Sequence, residues 1–140
     1  MITVNYDNES GYKYLPSKLI TRAIEITAEN EIKKDCSIGV VICTDKFIHK
    51  LNKTYLNHNY PTDVITFEIE EEPLEGEIYI SADTAKTQSA EYKVSFRDEL
   101  LRLAIHGCLH LAGYTDNDKN NKIIMSQLED KYLELLKDNS

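Results

Sequence analysis

Residues 106–116, with the sequence HGCLHLAGYTD, contain two histidines and one aspartate at a spacing that could bind a single metal ion. His106 and His110 lie four residues apart on a predicted helix, so their rings should project about 40° apart and lie about 6 Å apart along its axis. Gly113 is expected to end this helix and turn the chain, which would bring the carboxylate of Asp116 toward the same ion. Three protein ligands that leave a fourth position open are typical of a catalytic zinc site.

Other residues in and around this motif have competing interpretations. Histidines at this spacing also occur on helices that bind no metal, and the spacing alone leaves that alternative open. Asp118 is a rival third ligand, although Asp116 lies nearer the predicted turn. Cys108 lies about 200° around the helix from His106 and is expected to face the core. His49 is expected to be an ordinary surface or core histidine on another helix.

Gly107, directly after the first histidine, separates two possible chemistries. The ligand spacing matches that of the metzincin metalloproteases, with Asp116 in place of their third histidine. Those enzymes place a glutamate after the first histidine as the general base, and glycine has no side chain that could accept a proton. A peptidase of that type is therefore disfavoured, while a metal-dependent hydrolase of another substrate stays open.

The elements that must position these residues follow from hydrophobic periodicity and from helix-capping signals. A central helix is predicted behind Ser95 and Asp98, which resemble a capping box, and it ends near Gly113. The predicted strands cover residues 1–7, 36–43, 64–69 and 77–81, and the predicted helices begin near residues 16, 45, 83, 95 and 118. This order predicts one α+β domain over residues 1–140, in which about five helices cover a small mixed sheet of about four strands. The metal site is expected at the end of the central helix.

The second and the last predicted helices are amphipathic. In the second helix, Asp45 is the expected N-cap, and Phe47 and Tyr55 are expected among the residues that face the core. In the last helix, Ile123 and Ile124 are expected to face inward in the same way.

The net charge of −8 comes from one part of the chain. Residues 61–100 hold 3 basic and 11 acidic side chains, which accounts for the whole excess. Six of the 11 acidic residues lie between Glu68 and Glu77, in and beside a loop predicted between residues 69 and 77. The charge therefore does not exclude RNA binding, but it predicts little general electrostatic attraction for nucleic acid.

Composition also limits the setting in which the protein works. No apolar stretch approaches the roughly 18–20 residues that a membrane span needs, and the first residues do not form a secretory signal, so no membrane partner is expected. Cys36, Cys43 and Cys108 form no CxxC motif and cannot all pair with one another. They are expected to be reduced thiols in the cytoplasm, with no disulfide-linked partner.

Three blocks of the sequence resemble the YbeY family of metal-dependent endoribonucleases. Residues 106–114 match the family signature His-Gly-x-Leu-His-Leu-x-Gly-Tyr, which a third metal ligand follows. The other blocks are Leu51-Asn52-x-x-Tyr55 with Pro61-Thr62-Asp63-Val64-Ile65-Thr66-Phe67, and Gly76-Glu77-Ile78-Tyr79-Ile80-Ser81. The resemblance implies cleavage of single-stranded RNA in ribosomal RNA processing and maturation and in ribosome quality control. It also implies one divalent metal ion and, as partners, ribosomal RNA and the small ribosomal subunit.

Two positions depart from the family pattern. Asp116 stands where the family usually has a third histidine, and a carboxylate makes the site harder, so zinc is the expected ion but other divalent ions also suit the site. Leu56 stands where the family commonly has an arginine, which would be a natural partner for the scissile phosphate. The alternative to an endoribonuclease is therefore a ribosome-assembly factor that is not an enzyme and keeps the metal site for stability. Thr62 and Asp63, which match a family block, are expected to line the cleft, and the alternative for Asp63 is a turn or cap residue before the strand.

Overall fold

The computed structural model describes residues 1–138, which form four strands and five helices in the predicted order. The α+β class with a small mixed sheet, predicted from the sequence, is confirmed. None of the helices in these residues combines the length and the apolar composition that are needed to cross a membrane. The elements are β1 (Ile2–Asn8), α1 (Ser17–Glu31), β2 (Cys36–Cys43), α2 (Asp45–Leu56), β3 (Val64–Glu70), β4 (Leu74–Ser81), α3 (Ala82–Tyr92), α4 (Phe96–Leu111) and α5 (Lys119–Asp138).

The sheet has the strand order β1-β2-β4-β3. β2 pairs in parallel with β1 and with β4, whereas β3 runs antiparallel to β4 at one edge. The sequence of β2, CSIGVVIC, is almost entirely apolar because this strand lies inside the sheet. A large core joins the sheet to α1, α4 and α5, and a second, small core forms beneath α2.

The predicted acidic loop is mostly strand, which corrects the sequence-based boundary. β3 extends to Glu70 and β4 already begins at Leu74, so only residues 71–73 form a turn. Leu74, Gly76 and Ile78 are buried and alternate with more exposed glutamates, which is the period of a strand with one buried face. The high density of glutamates in this segment conceals that alternation in the sequence.

The predicted faces of two helices also need correction. Thr44, not Asp45, is the N-cap of α2, because its hydroxyl oxygen accepts a hydrogen bond from the amide of Phe47. The Phe47 and Tyr55 rings are largely exposed, since only one side of α2 lies on the sheet. In α5, Ile123 and Ile124 are likewise exposed, and the buried positions are instead Met125, Glu129, Tyr132 and Leu136.

Helix α4 lies at the centre of the molecule and carries the candidate site at its C-terminal end. The hydroxyl oxygen of Ser95 accepts a hydrogen bond from the amide of Asp98 at 3.0 Å, which confirms the predicted cap. The helix passes very close to β4 at Gly107, where a Cβ atom would lie 2.7 Å from Cγ2 of Ile78. Glycine therefore lets the helix approach the sheet, and the site depends on that close packing.

Candidate metal centre

A turn after α4 brings the three predicted ligands together. Gly113 has a φ of +104°, a backbone conformation that favours glycine. The amide of Tyr114 donates a hydrogen bond to the carbonyl oxygen of Leu109 at 3.0 Å, which closes the helix end. The chain then reverses and places Asp116 beside the two histidines.

The ligand atoms of these three residues form a small triangle. Nε2 of His106 lies 3.0 Å from Nε2 of His110, and Oδ2 of Asp116 lies 3.3 Å from the first and 3.7 Å from the second. The three side chains are partly buried and line one side of an open cavity of about 450 Å³. The site can therefore be reached from solvent on the cavity side.

The partners of the two Nδ1 atoms determine which ring nitrogens are free. Nδ1 of His110 lies 3.0 Å from the backbone carbonyl oxygen of Tyr114, which can only accept, so this nitrogen must donate. Nδ1 of His106 lies 2.7 Å from the carboxylate of Glu129 and donates in the same way. When the rings are neutral, both Nε2 atoms carry lone pairs that face each other and the Asp116 carboxylate. Three acceptors that converge in this way repel one another unless a proton or a metal ion lies between them, and the group could hold one metal ion.

The same contacts shift the pKa values of the two histidines in opposite directions. Burial disfavours charge on His106, but its hydrogen bond to Glu129 and the charges of Glu129 and Asp116 outweigh burial and raise its pKa. Burial and the neighbouring charge of His106 lower the pKa of His110. The site therefore disfavours a positive charge on both rings at once, and a metal ion bound by both Nε2 atoms requires both rings to be neutral.

The geometry fits a tetrahedral divalent ion. Ligand atoms at about 2.0–2.1 Å from a tetrahedral zinc ion lie about 3.3 Å from one another. The observed separations of 3.0, 3.3 and 3.7 Å bracket this value. Two imidazoles and one carboxylate are also a donor set that zinc accepts.

Sequence reasoning missed the residues that support the first histidine. Glu129 on α5 is only 7% exposed, and its second oxygen accepts a hydrogen bond from Arg102 on α4 at 3.0 Å. Arg102 also donates to Asp130 at 2.7 Å, so the two helices are tied together beside the site. Glu129 lies between Met125 and Tyr132 on the buried face of α5, and a buried carboxylate needs a partner. A charged residue on this face is the sequence signal that could have indicated the contact.

The structure separates the other candidate residues. Asp118 caps α5 by accepting a hydrogen bond from the amide of Asn121 at 2.8 Å and does not belong to the ligand group. Nε2 of His49 pairs with Asn59 at 2.9 Å, and His49 does not belong to the ligand group. Cys108 is completely buried, as predicted.

The cavity beside the metal centre has walls from α2, β3 and α4. Thr62 and Asp63 line it, as predicted, and Asp63 also accepts a hydrogen bond from the amide of Val64 at the start of β3. Leu56, the last residue of α2, contributes an apolar wall. His58 and Tyr60 stand at the rim on the segment between α2 and β3.

The structure defines a class of protein: a small α+β fold with a His-His-Asp centre at the end of its central helix. Comparisons with known proteins identify the family. A family profile described as "Endoribonuclease YbeY" matches residues 4–137. A protein named "Endoribonuclease YbeY" from Chloroherpeton thalassium is 42% identical over 123 residues, which cover 87% of each chain. One of the same name from Karelsulcia muelleri is 38% identical over 135 residues, which cover 96% of each chain. This chain therefore belongs to the YbeY family.

A solved structure agrees with this assignment. The solution structure of TM1509 from Thermotoga maritima superposes with a TM-score of 0.67 at 32% sequence identity. The match covers 97% of this chain and 89% of that one.

Proposed function

We propose that this protein, acting as one domain over residues 1–140, is a metal-dependent endoribonuclease that hydrolyses phosphodiester bonds in single-stranded RNA. His106, His110 and Asp116 hold one divalent ion. The observation that carries the proposal is the convergence of three acceptor atoms within 3.0–3.7 Å of one another beside an open cavity. The reaction class is supported by relatives that bear the name endoribonuclease.

Zinc is the proposed ion. Imidazole ligands suit zinc, and the fourth position of a tetrahedral site is left to the cavity side. The Asp116 carboxylate makes this site harder than one with three histidines, so manganese is the most informative competitor. Because almost any site with nitrogen and oxygen ligands binds zinc more tightly than manganese, relative affinity does not identify the working ion. We expect one equivalent of zinc to restore RNA cleavage to the metal-free protein, and cleavage restored by manganese but not by zinc would contradict the assignment.

The residues around the ion have separate tasks. When bound, the ion supplies positive charge that polarises a phosphodiester oxygen and makes a nearby water more acidic. Glu129 and the carbonyl oxygen of Tyr114 each accept a proton from an Nδ1 atom, so both Nε2 atoms keep their lone pairs for the ion. Asp116 supplies a carboxylate that balances the charge of the ion. The cavity walls then hold the RNA strand against this centre.

The proposed substrate in the cell is ribosomal RNA, and the proposed partner is the small ribosomal subunit, in rRNA maturation and ribosome quality control. The support is the family resemblance across residues 51–116 together with family membership. We propose a cytoplasmic location, which the three free cysteines favour. Because Cys36, Cys43 and Cys108 are all buried, none is accessible for a disulfide with a partner.

The test compares three substrate classes with and without a chelator. A labelled RNA with unpaired loops, a peptide and an ester are each incubated with the zinc-loaded protein. We expect cleavage of the RNA alone, loss of cleavage with chelator, and recovery when zinc is added back. The variant His110→Ala, purified in parallel, controls for co-purified nucleases and should be inactive. Cleavage that survives the chelator or the substitution would contradict the proposal.

A non-catalytic assembly factor is the second candidate, because one feature of the cavity favours it. Leu56 occupies the wall where the family commonly has an arginine, and no lysine or arginine of the described chain lines this cavity. Sedimentation with small ribosomal subunits, without any chelator-sensitive cleavage, would favour this candidate. A metzincin-like peptidase remains disfavoured, because Gly107 has no side chain that could act as the general base. The position also faces Ile78 of β4, where a Cβ atom would lie 2.7 Å from Cγ2.

A further inference from the structure

Two aromatic rings stack on each other in the lining of the cavity that contains the candidate metal centre. The rings of His58 and Tyr60 stack with their centroids 5.4 Å apart and their planes only 10° from parallel. Both line the cavity, and Tyr60 keeps 53% of its surface exposed. Among the aromatic pairs within residues 1–138, this is the one with nearly parallel planes, because the rings of the other pairs are tilted or edge-on to each other.

The segment that carries these rings is anchored to α2. The side-chain amide of Asn52, which is almost fully buried, donates to the carbonyl oxygen of Tyr60 at 2.9 Å. The amide of His58 donates to the carbonyl oxygen of Asn52 at 3.1 Å, and the side chains of His49 and Asn59 pair at 2.9 Å. Because these contacts fix the backbone, the rings are held in place before any ligand arrives, and binding pays less ordering entropy.

The charges of the cavity indicate what kind of ligand it can hold. It is lined by Asp63, Glu68 and Asp116 but by no lysine or arginine of the described chain. Phosphate groups are therefore not attracted by protein cations here, and a duplex, which offers mainly its phosphates and 2′-hydroxyls, has little to bind. An unpaired base presents an uncharged flat face, which stacks on aromatic rings in single-strand-binding proteins.

We infer that His58 and Tyr60 are a stacking platform for an unpaired base of the RNA, next to the bond that the metal centre cleaves. The inference rests on the proposed nuclease function and assigns a binding position to one base of its single-stranded substrate. Binding here depends on base stacking more than on charge. The affinity for RNA should therefore depend only weakly on salt concentration.

The test measures binding separately from cleavage. An eight-nucleotide fluorescent RNA without secondary structure is titrated with the metal-free protein in chelator, and the Kd is read from anisotropy. We expect Tyr60→Ala to raise the Kd about 5- to 150-fold, the range for the loss of one base–aromatic stack. Tyr60→Phe, which keeps the ring, should stay within about 3-fold of the wild type. Tyr14→Ala removes a fully exposed tyrosine outside the cavity and should have no effect.

The salt dependence gives a second, independent measure. Each phosphate neutralised by a cation contributes a slope of about −0.7 to a plot of log K against log salt concentration for a single strand. We expect a slope shallower than about −1, and weaker binding when the same RNA is annealed to its complement. A slope steeper than about −2, equal binding by Tyr60→Ala, or no binding by the wild type would each overturn the inference.

The binding test and the cleavage test fail in different ways. RNA binding that depends on Tyr60, without any chelator-sensitive cleavage, would support the platform and contradict the nuclease function. Chelator-sensitive cleavage, with RNA binding that does not depend on Tyr60, would contradict the platform alone. Circular dichroism melting of each variant checks that the exposed substitution leaves the fold intact.

Discussion

The contact between Glu129 and His106 predicts that a residue outside the ligand set controls metal affinity. The carboxylate of Glu129 lies 2.7 Å from Nδ1 of His106, and its negative charge makes the opposite nitrogen a stronger ligand. In Glu129→Gln the side-chain carbonyl oxygen can still accept the hydrogen bond, but the charge is lost. Loss of such supporting groups typically lowers metal affinity 10- to 100-fold. We expect about 10-fold weaker zinc binding for Glu129→Gln and up to about 100-fold for Glu129→Ala, where the hydrogen bond is also lost.

Asp130 provides a matched control for this prediction. It lies next to Glu129 on α5 and pairs with the same Arg102, but its side chain is 69% exposed and it does not contact the histidines. Zinc affinity is measured at one pH by competition with a chromophoric chelator, starting from metal-free protein. Asp130→Asn should change the zinc Kd less than 3-fold. Zinc binding by Glu129→Gln that is as tight as in the wild type, or an equal loss of affinity in Asp130→Asn, would contradict this role of Glu129.

Two further predictions concern folding stability. Gly107→Ala should lower the free energy of unfolding measured in urea by about 1–2 kcal/mol, because overpacking against Ile78 exceeds the gain in helix propensity. The control is Gly39→Ala, which should not be destabilised because its new Cβ meets nothing closer than 3.8 Å. Equal losses of stability in the two variants would contradict this prediction. Burial raises the pKa of Glu99 from 4.5 to about 7, although the charge of Arg102 opposes this shift. The free energy of unfolding therefore falls as the pH rises from 4.5 to about 7, and Glu99 has no such effect at lower pH, where it is protonated in both the folded and the unfolded state. In metal-free protein, Glu99→Gln should therefore have a free energy of unfolding up to about 3 kcal/mol larger than the wild type at pH 8.5, and about the same as the wild type at pH 4.5. An equal gain in stability at both pH values would refute the raised pKa of Glu99.

The candidate ligands could be predicted from the sequence because their geometry is local. His106, His110 and Asp116 lie on one helix end and the turn after it, so helix geometry and one glycine suffice to bring them together. The contact from Glu129 could not be predicted in this way. It joins two residues that lie 23 positions apart in sequence on different helices, and its register depends on how α5 packs against α4.

The errors in the predicted elements have a common physical cause. Amphipathic patterns identify a helix or strand, but they do not fix which borderline residues face the core. In α5 the buried face includes Met125, so Ile123 and Ile124 are turned outward. In β4 the glutamates at alternate positions hide a strand that begins at Leu74. Both outcomes are decided by packing between distant elements.

The most direct test of the central claim is the metal content of the purified protein. Wild-type protein prepared without a metal-affinity tag, exposed to zinc and desalted, is analysed for metal per chain. We expect about one zinc ion per wild-type chain, the same for His49→Ala, and less than about a tenth of that for His110→Ala. Zinc retained by His110→Ala at the wild-type level, or a wild-type protein that binds none, would contradict the account.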